Sequence, residues 1–290
     1  MKILVTGGSG FIGKRLMEKL KDLGHEVENF DFINGQDIRD YEQVERAVKG
    51  KDMVFHLAAV ADLNFSREHP IENGEINVGG TTQIAVACAR HNVFLSYVST
   101  CCVYGNQEVH PSSEKSLPNP AEIYACSKLA GEYVVLGYHH LYNLKYNILR
   151  FATVYGPEMR PALAVWIFLD QAMRRVPFTV QGDGKQTRTL TYVDDLIDGC
   201  IASMDEKCTN GEIINLSTEE EISVLDVINL AKELTGSKAE ITFIEQRPGQ
   251  VFKEGIDASK AKKLINWSAQ HSFKEGMKLT YEWMKGSKSK

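Results

Sequence analysis

Along the first two-thirds of the chain, short apolar runs alternate with longer stretches whose apolar positions recur every three to four residues. Lys2-Ile3-Leu4-Val5-Thr6 reads as a strand, and Phe11, Ile12, Leu16, Met17, Leu20 and Leu23 form the stripe of a helix that Gly24 closes. Val27 to Phe30 predicts a second strand, Tyr41 to Val48 a helix and Met53 to Leu57 a third strand. A long helix across Asn77 to Arg90 and the strand Phe94 to Val98 follow. A helix from about Tyr124 to Tyr142 then leads into the strand Tyr146 to Phe151. Such alternation is the signature of an α/β protein with a doubly wound parallel sheet covered on both faces.

Past Tyr155-Gly156-Pro157 the pattern loosens. It predicts a helix near Leu163 to Arg174, a loop Gln181-Gly182-Asp183-Gly184, a strand near Glu212 to Leu216, and helices near Val224 to Leu234 and Phe273 to Met284. Residues 1–156, with about 184–204, are expected to form the main domain; about 157–183 and 205–290 are expected to form a smaller, mainly C-terminal α/β lobe. No repeat or low-complexity linker separates them, so the lobes should share an interface with a cleft between them.

Composition narrows the field. A chain of 290 residues, 43% hydrophobic and 24% charged, is ordinary for a globular protein whose core needs no staples. A net charge of −5 and the absence of a Lys/Arg block argue against a nucleic-acid surface and leave room only for a small polyanion. The cysteines Cys88, Cys101, Cys102, Cys126, Cys200 and Cys208 include no C-x-x-C pair and no zinc-like spacing, so free thiols in a reducing cytoplasm and no metal are expected. No apolar run approaches the roughly eighteen residues needed to cross a bilayer, and no signal peptide is evident.

The chemistry begins at Gly7-Gly8-Ser9-Gly10-Phe11-Ile12-Gly13. Gly7, Gly10 and Gly13 fall where a strand must turn sharply, a pyrophosphate must approach the backbone, and the following helix must pack closely on the sheet. Placed between a strand and a helix, they read as the dinucleotide loop of a Rossmann fold. Asp31, about twenty residues on, can accept both ribose hydroxyls of adenosine and repels an added phosphate, which points to NAD rather than NADP. Tyr124 and Lys128, four apart at the start of a helix, share one face, where an ammonium would favour the phenolate and make a base.

With these stand His56-Leu57-Ala58-Ala59, Asn77-Val78-Gly79-Gly80-Thr81, Ser99-Thr100 before Val103-Tyr104-Gly105, Leu149-Arg150 before Val154-Tyr155-Gly156-Pro157, Gly182 to Arg188, Tyr192-Val193-Asp194-Asp195 and Arg247-Pro248-Gly249. In these motifs the chain resembles the extended short-chain dehydrogenase/reductase family, specifically its NAD-dependent nucleotide-sugar epimerase/dehydratase group, over nearly its whole length. The resemblance implies that Gly7, Gly10, Phe11, Ile12 and Gly13 hold the NAD pyrophosphate and that Asp31 binds ribose. It also implies that Asp37 and Ile38 flank the adenine, and that Leu57, Ala58, Ala59, Asn77, Ser99, Tyr124 and Lys128 complete the cofactor site. Thr100 would join Tyr124 and Lys128 as the catalytic triad. Thr153, Arg160, Arg188 and Arg247 would join Thr100 on the substrate, the arginines suited to phosphate or carboxylate.

Members of the group that eliminate water carry an Asp-Glu pair directly after the triad threonine, and decarboxylases carry a Glu; here those positions are Cys101 and Cys102. The remaining outcome is return of the hydride to the other face of a 4-keto sugar, which is C4 epimerisation. UDP-glucose and UDP-galactose are the expected substrates. The stretch Arg150 to Pro161 also resembles UDP-glucuronate 4-epimerases, so that activity stays open, followed by a dehydratase, decarboxylase or 4-ketosugar reductase and, last, a non-catalytic NAD-binding protein. The family further implies a homodimer through the helices around Asn77 to Arg90 and Tyr124 to Tyr142.

Overall fold

The structure is a computed structural model that describes residues 1–246 and 251–287. Its elements run β1 (Lys2–Thr6), α1 (Phe11–Asp22), β2 (Glu26–Phe30), α2 (Tyr41–Val48), β3 (Met53–His56), α3 (Leu63–Glu68), α4 (Pro70–Gly74), α5 (Thr81–His91), β4 (Phe94–Thr100), α6 (Ile123–Tyr142) and β5 (Tyr146–Phe151). There follow β6 (Thr153–Tyr155), α7 (Ala164–Arg174), β7 (Phe178–Gln181), β8 (Thr187–Tyr192), α8 (Val193–Ala202), α9 (Glu206–Thr209) and β9 (Glu212–Leu216). The chain closes with β10 (Glu221–Ser223), α10 (Val224–Thr235), β11 (Ile241–Ile244), α11 (Ser259–Ile265) and α12 (Phe273–Ser287).

The main sheet is parallel throughout, in the order β2-β1-β3-β4-β5-β9. Its strands alternate between two cores, as the two-residue period of a strand requires. Leu4, Val54, Leu95, Tyr97 and Ile148 face α2, α5 and α6, while Ile3, Val5, Phe55 and Leu149 pack with Leu16, Leu20, Leu196 and Trp267 on the other side. Strand order reverses between β1 and β3, which opens a crevice at their carboxyl ends. A third core, including Phe168, Leu169, Phe178, Val180, Ile228 and Met277, fills the second lobe between two small sheets, β10-β8-β6 and β11-β7, and the helices α7, α10 and α12.

The expected boundaries are corrected in two ways. β6 and β8, expected in the main domain, pair with each other and β10 in the second lobe. The strand expected in the smaller lobe, β9, instead pairs in parallel with β5 and completes the main sheet, and Ala261 and Trp267 follow it into that core. Parallel pairing is a non-local choice, and nothing in a five-residue apolar run names its neighbour. The helix expected across Asn77 to Arg90 begins as a π-helical stretch, Glu75–Gly80, before α5. No helix among the described residues is long and apolar enough to cross a membrane, and all six cysteines are free thiols.

Candidate active site

A cleft of about 1240 Å³ runs along the carboxyl ends of β1, β3, β4 and β5 and is roofed by the second lobe. At one end stands the glycine loop. Gly7 adopts a left-handed φ of 73°, and a Cβ there would lie 2.8 Å from the Ala58 nitrogen, so only glycine lets this turn pass the end of β3. Gly10 is the N-cap of α1 with no side chain capping it, which leaves first-turn N–H groups for an anion. Asp31 Oδ2 accepts from the Ser9 N–H at 2.9 Å and Oδ1 from the Ile33 N–H at 3.1 Å, fixing the carboxylate beside that loop. Arg39 grips Asp37 through Nε and Nη2 and holds its carboxyl below the usual range. A phosphate cradle, a carboxylate at ribose distance along the chain, and apolar Ile38, Leu57, Ala58 and Ala59 on the wall fit an adenine dinucleotide.

Asn77, expected among the cofactor residues, is not on the cleft wall. Its amide donates to the Val60 carbonyl at 3.0 Å and to Ser127 Oγ at 2.9 Å, and its oxygen accepts from the Val60 N–H at 2.7 Å. It staples the loop after β3 to α6 from behind. Ser99 lines the cleft, but its hydroxyl turns away to Glu132.

Thr100, Tyr124 and Lys128 converge on the middle of the cleft. Thr100 ends β4 and caps the short 3-10 turn Cys101–Tyr104 by accepting from the Cys102 N–H at 3.2 Å. Its hydroxyl also acts on the Tyr124 phenol. Burial pushes that phenol up, with the Cys102 thiol adding to the rise, and the Thr100 hydroxyl and the Arg160 charge oppose it. The expectation that Lys128 would pull the phenol down is not met here. The Lys128 ammonium reaches over the ring of Tyr97, 4.3 Å from its centroid, and burial lowers its own pKa to about 7 while Glu132 works to raise it. Four-residue spacing puts both side chains on one face, but burial, not the partner, sets each one's shift.

Beneath this face lies a buried ion pair. Arg150 of β5 donates to Glu132 of α6 through Nε at 2.9 Å and Nη2 at 2.6 Å, with side-chain exposures of 3% and 2%. Arg150 Nη1 continues to Tyr104 Oη at 2.9 Å, which donates to Asn215 of β9 at 2.7 Å. Sequence reasoning missed Glu132, although its position four residues after Lys128 puts it on the same helical face.

Toward the second lobe, Thr153, Arg160 and Arg188 line the cleft, as expected substrate residues. Arg160 bridges the cleft mouth, 3.4 Å from the Ala61 carbonyl and 3.8 Å from Asp62. Arg188 donates to the Thr187 carbonyl at 2.6 Å and lies 3.5 Å from Glu254, a cleft residue that the sequence did not single out. Arg247 lies outside the described residues. Among the described residues no cluster of His, Cys, Asp or Glu could hold a metal ion.

The model of the NAD dependent epimerase/dehydratase family matches residues 3–217, from β1 to the end of β9. The chain belongs to that family. It is also 32% identical to the UDP-glucose 4-epimerase of Thermotoga maritima, solved with UDP-glucose, covering 99% of each chain at a TM-score of 0.94. A UDP-glucuronic acid 4-epimerase from Bacillus cereus, solved with UDP-glucuronic acid and NAD, is 32% identical over 99% of this chain and 100% of its own, at a TM-score of 0.93. The chain is equally 32% identical to a UDP-N-acetyl-alpha-D-glucosaminuronate decarboxylase of Bacillus cytotoxicus, over 98% of both. As a member of this epimerase/dehydratase family the protein is an NAD-dependent enzyme. Its relatives divide between epimerisation and decarboxylation of UDP-sugars.

Proposed function

We propose that the enzyme interconverts UDP-glucose and UDP-galactose by epimerisation at C4 through a 4-keto intermediate. The observation that carries this reading is the segment after Thr100. Cys101 is buried with its thiol on the Arg150 carbonyl at 3.4 Å, and Cys102, at the cleft, has its thiol pushed up to about 11 by burial. Both stay protonated at neutral pH, so the segment beside the reacting carbons supplies no carboxyl pair to move protons at C5 and C6. Tyr124 takes the C4 hydroxyl proton and later returns it, Thr100 orients that oxygen, and Lys128 completes the triad from the same face of α6. NAD, when bound, supplies the hydride acceptor and donor. Arg188 and Arg247 grip the diphosphate, and Thr153 borders the sugar.

The direct test incubates the protein and NAD with UDP-glucose, UDP-galactose and UDP-glucuronate separately and follows products by chromatography with mass spectrometry. A new peak of unchanged mass from either hexose supports the reading, and loss of water or carbon dioxide refutes it. Arg160 favours the runner-up, a UDP-glucuronate 4-epimerase, because its guanidinium at the cleft mouth acts on the Tyr124 phenol and could pair with a sugar carboxylate.

For the cofactor, Asp31 is the ribose ligand and the barrier to NADP. Asp31→Ala is expected to weaken NAD binding tenfold or more and to narrow its preference over NADP, measured by fluorescence titration of both; an unchanged ratio would remove Asp31 from this role. We also infer a homodimer. Tyr133, Leu141 and Tyr142 leave apolar surface exposed along α6, the helix that carries Tyr124. Sedimentation should give a dimer that Tyr133→Glu weakens, and a wild-type monomer at micromolar concentration would contradict it. Six free thiols suit a reducing compartment such as the cytoplasm.

A further inference from the structure

Glu254 is a carboxyl inside the cleft that the epimerisation mechanism leaves unused. It is 7% exposed, its Oε2 lies 3.5 Å from Nε of Arg188, and its Oε1 is buried with no hydrogen-bond partner among the described residues. Leaving a buried polar oxygen unpaired is costly, and such an atom on a cleft wall is one that a ligand can satisfy. The backbone around it is pinned. Phe252 donates to Asn106 Oδ1 at 3.0 Å and accepts from the Thr187 N–H at 2.9 Å, and the Gly255 carbonyl accepts from the Ser112 N–H at 2.8 Å. The carboxyl is therefore held in place rather than swung in from solvent.

Its location is beside the Cys101–Tyr104 turn: Ile256, two residues on, packs with Cys101, Val103 and Ala152, and Glu254 lines the same cleft as Cys102, Thr100 and Tyr124. The Cys102 N–H donates to Thr100 Oγ1 at 3.2 Å. Burial pushes the Glu254 carboxyl up, while Arg188 draws it down and Glu221 adds to the rise.

We propose that Glu254 is a specificity-determining residue whose Oε1 accepts a hydrogen bond from a hydroxyl or amide N–H of a neutral sugar, and which rejects a sugar presenting a carboxylate to that wall. The proposal rests on the reading of the cleft as a UDP-hexose epimerase site. A hexose offers hydroxyl donors around its ring, whereas an ionised uronate carboxylate is acceptor-only and would meet Glu254 acceptor to acceptor and charge to charge. Arg188, already 3.5 Å from Glu254 and assigned to the diphosphate, is not free to pair with a sugar carboxylate as well.

The test compares wild type with Glu254→Gln and Glu254→Ser for UDP-glucose, UDP-galactose and UDP-glucuronate, measuring Kd and kcat/KM, with melting temperature as a check of folding. Wild type should prefer the hexoses at least tenfold. Both variants should raise kcat/KM for the glucuronate tenfold or more relative to the hexoses, through Kd rather than kcat. Parallel changes for all three sugars, or a wild type that binds glucuronate as tightly as the hexoses, would overturn the assignment. Carbon dioxide released from glucuronate by wild type but not by Glu254→Gln would overturn it differently, making Glu254 a catalytic acid. If no UDP-sugar binds, the epimerase reading fails as well; if the hexoses turn over and the ratio does not move, only the role of Glu254 fails.

Discussion

Replacing Tyr124 by phenylalanine is expected to lower kcat by a hundredfold or more while leaving NAD bound. The phenol lines the cleft with Thr100, which ends β4, and Thr100 acts on it to favour the charged form. A general base contributes about 10² to 10⁴ in rate, and phenylalanine keeps the ring and its packing while deleting the atom that moves the proton. The loss should therefore fall on kcat, with KM little changed, because the diphosphate and ribose contacts lie on other elements. Burial holds the free phenol above its ordinary value, so the base form is made only in the assembled complex, where the cofactor's positive charge adds to that of Arg160. An NAD titration read by quenching of protein fluorescence and a melting curve, both matching wild type, would separate lost chemistry from lost structure. Turnover within tenfold of wild type would sink the mechanism.

Glu132→Gln should cost stability on a scale of about 3–5 kcal/mol, the range for breaking one partner of a buried ion pair. The variant leaves the Arg150 guanidinium, 3% exposed, facing an amide where two carboxylate oxygens had accepted its Nε and Nη2 protons. The glutamine amide keeps one acceptor oxygen, so either Arg150 Nη2 or the Arg150 Nε and Ser99 Oγ pair now faces an NH2 donor. The run through Tyr104 to Asn215 is disturbed, so β4, β5, β9 and α6 loosen together. The second consequence reaches the site. Glu132 is the neighbour that favours the charged form of Lys128, whose pKa stands at about 7. Without that carboxylate the Lys128 pKa should fall further, so that less of it is ammonium at pH 7. Urea denaturation measures the first effect and NMR titration of the labelled lysine in the apoprotein the second. A loss below about 1 kcal/mol with an unmoved Lys128 would show that the pair neither holds the sheet nor tunes the site.

Much of the site was legible because its parts are local. The glycine spacing, Asp31 at the end of the next strand, and Tyr124 with Lys128 on one turn of helix each depend on a few adjacent residues whose backbone geometry is set by their own sequence. The same holds for the strands of the main domain, whose alternation between Leu4 and Val5, or Tyr97 and Phe94, foretells two cores. The second lobe was harder. Its strands β6, β7, β8, β10 and β11 are three to six residues long, and runs that short carry too little periodicity to be told from loops. Asn77 shows a related limit: its motif marks the neighbourhood, but only the fold shows that its amide binds Val60 and Ser127.

The family and the parallel α/β frame, together with the candidate NAD loop and triad, were readable along the chain, since each is written in residues close together and read through fixed helical or strand periods. The tertiary structure alone decided that β9 joins the main sheet, that Lys128 sits over Tyr97 with its charge sustained by Glu132, and that Glu254 meets Arg188 beside Cys102. Those are contacts between distant segments, and burial sets their electrostatics. Desolvation moves a phenol or an ammonium by an amount that depends on everything packed around it, which no local spacing specifies.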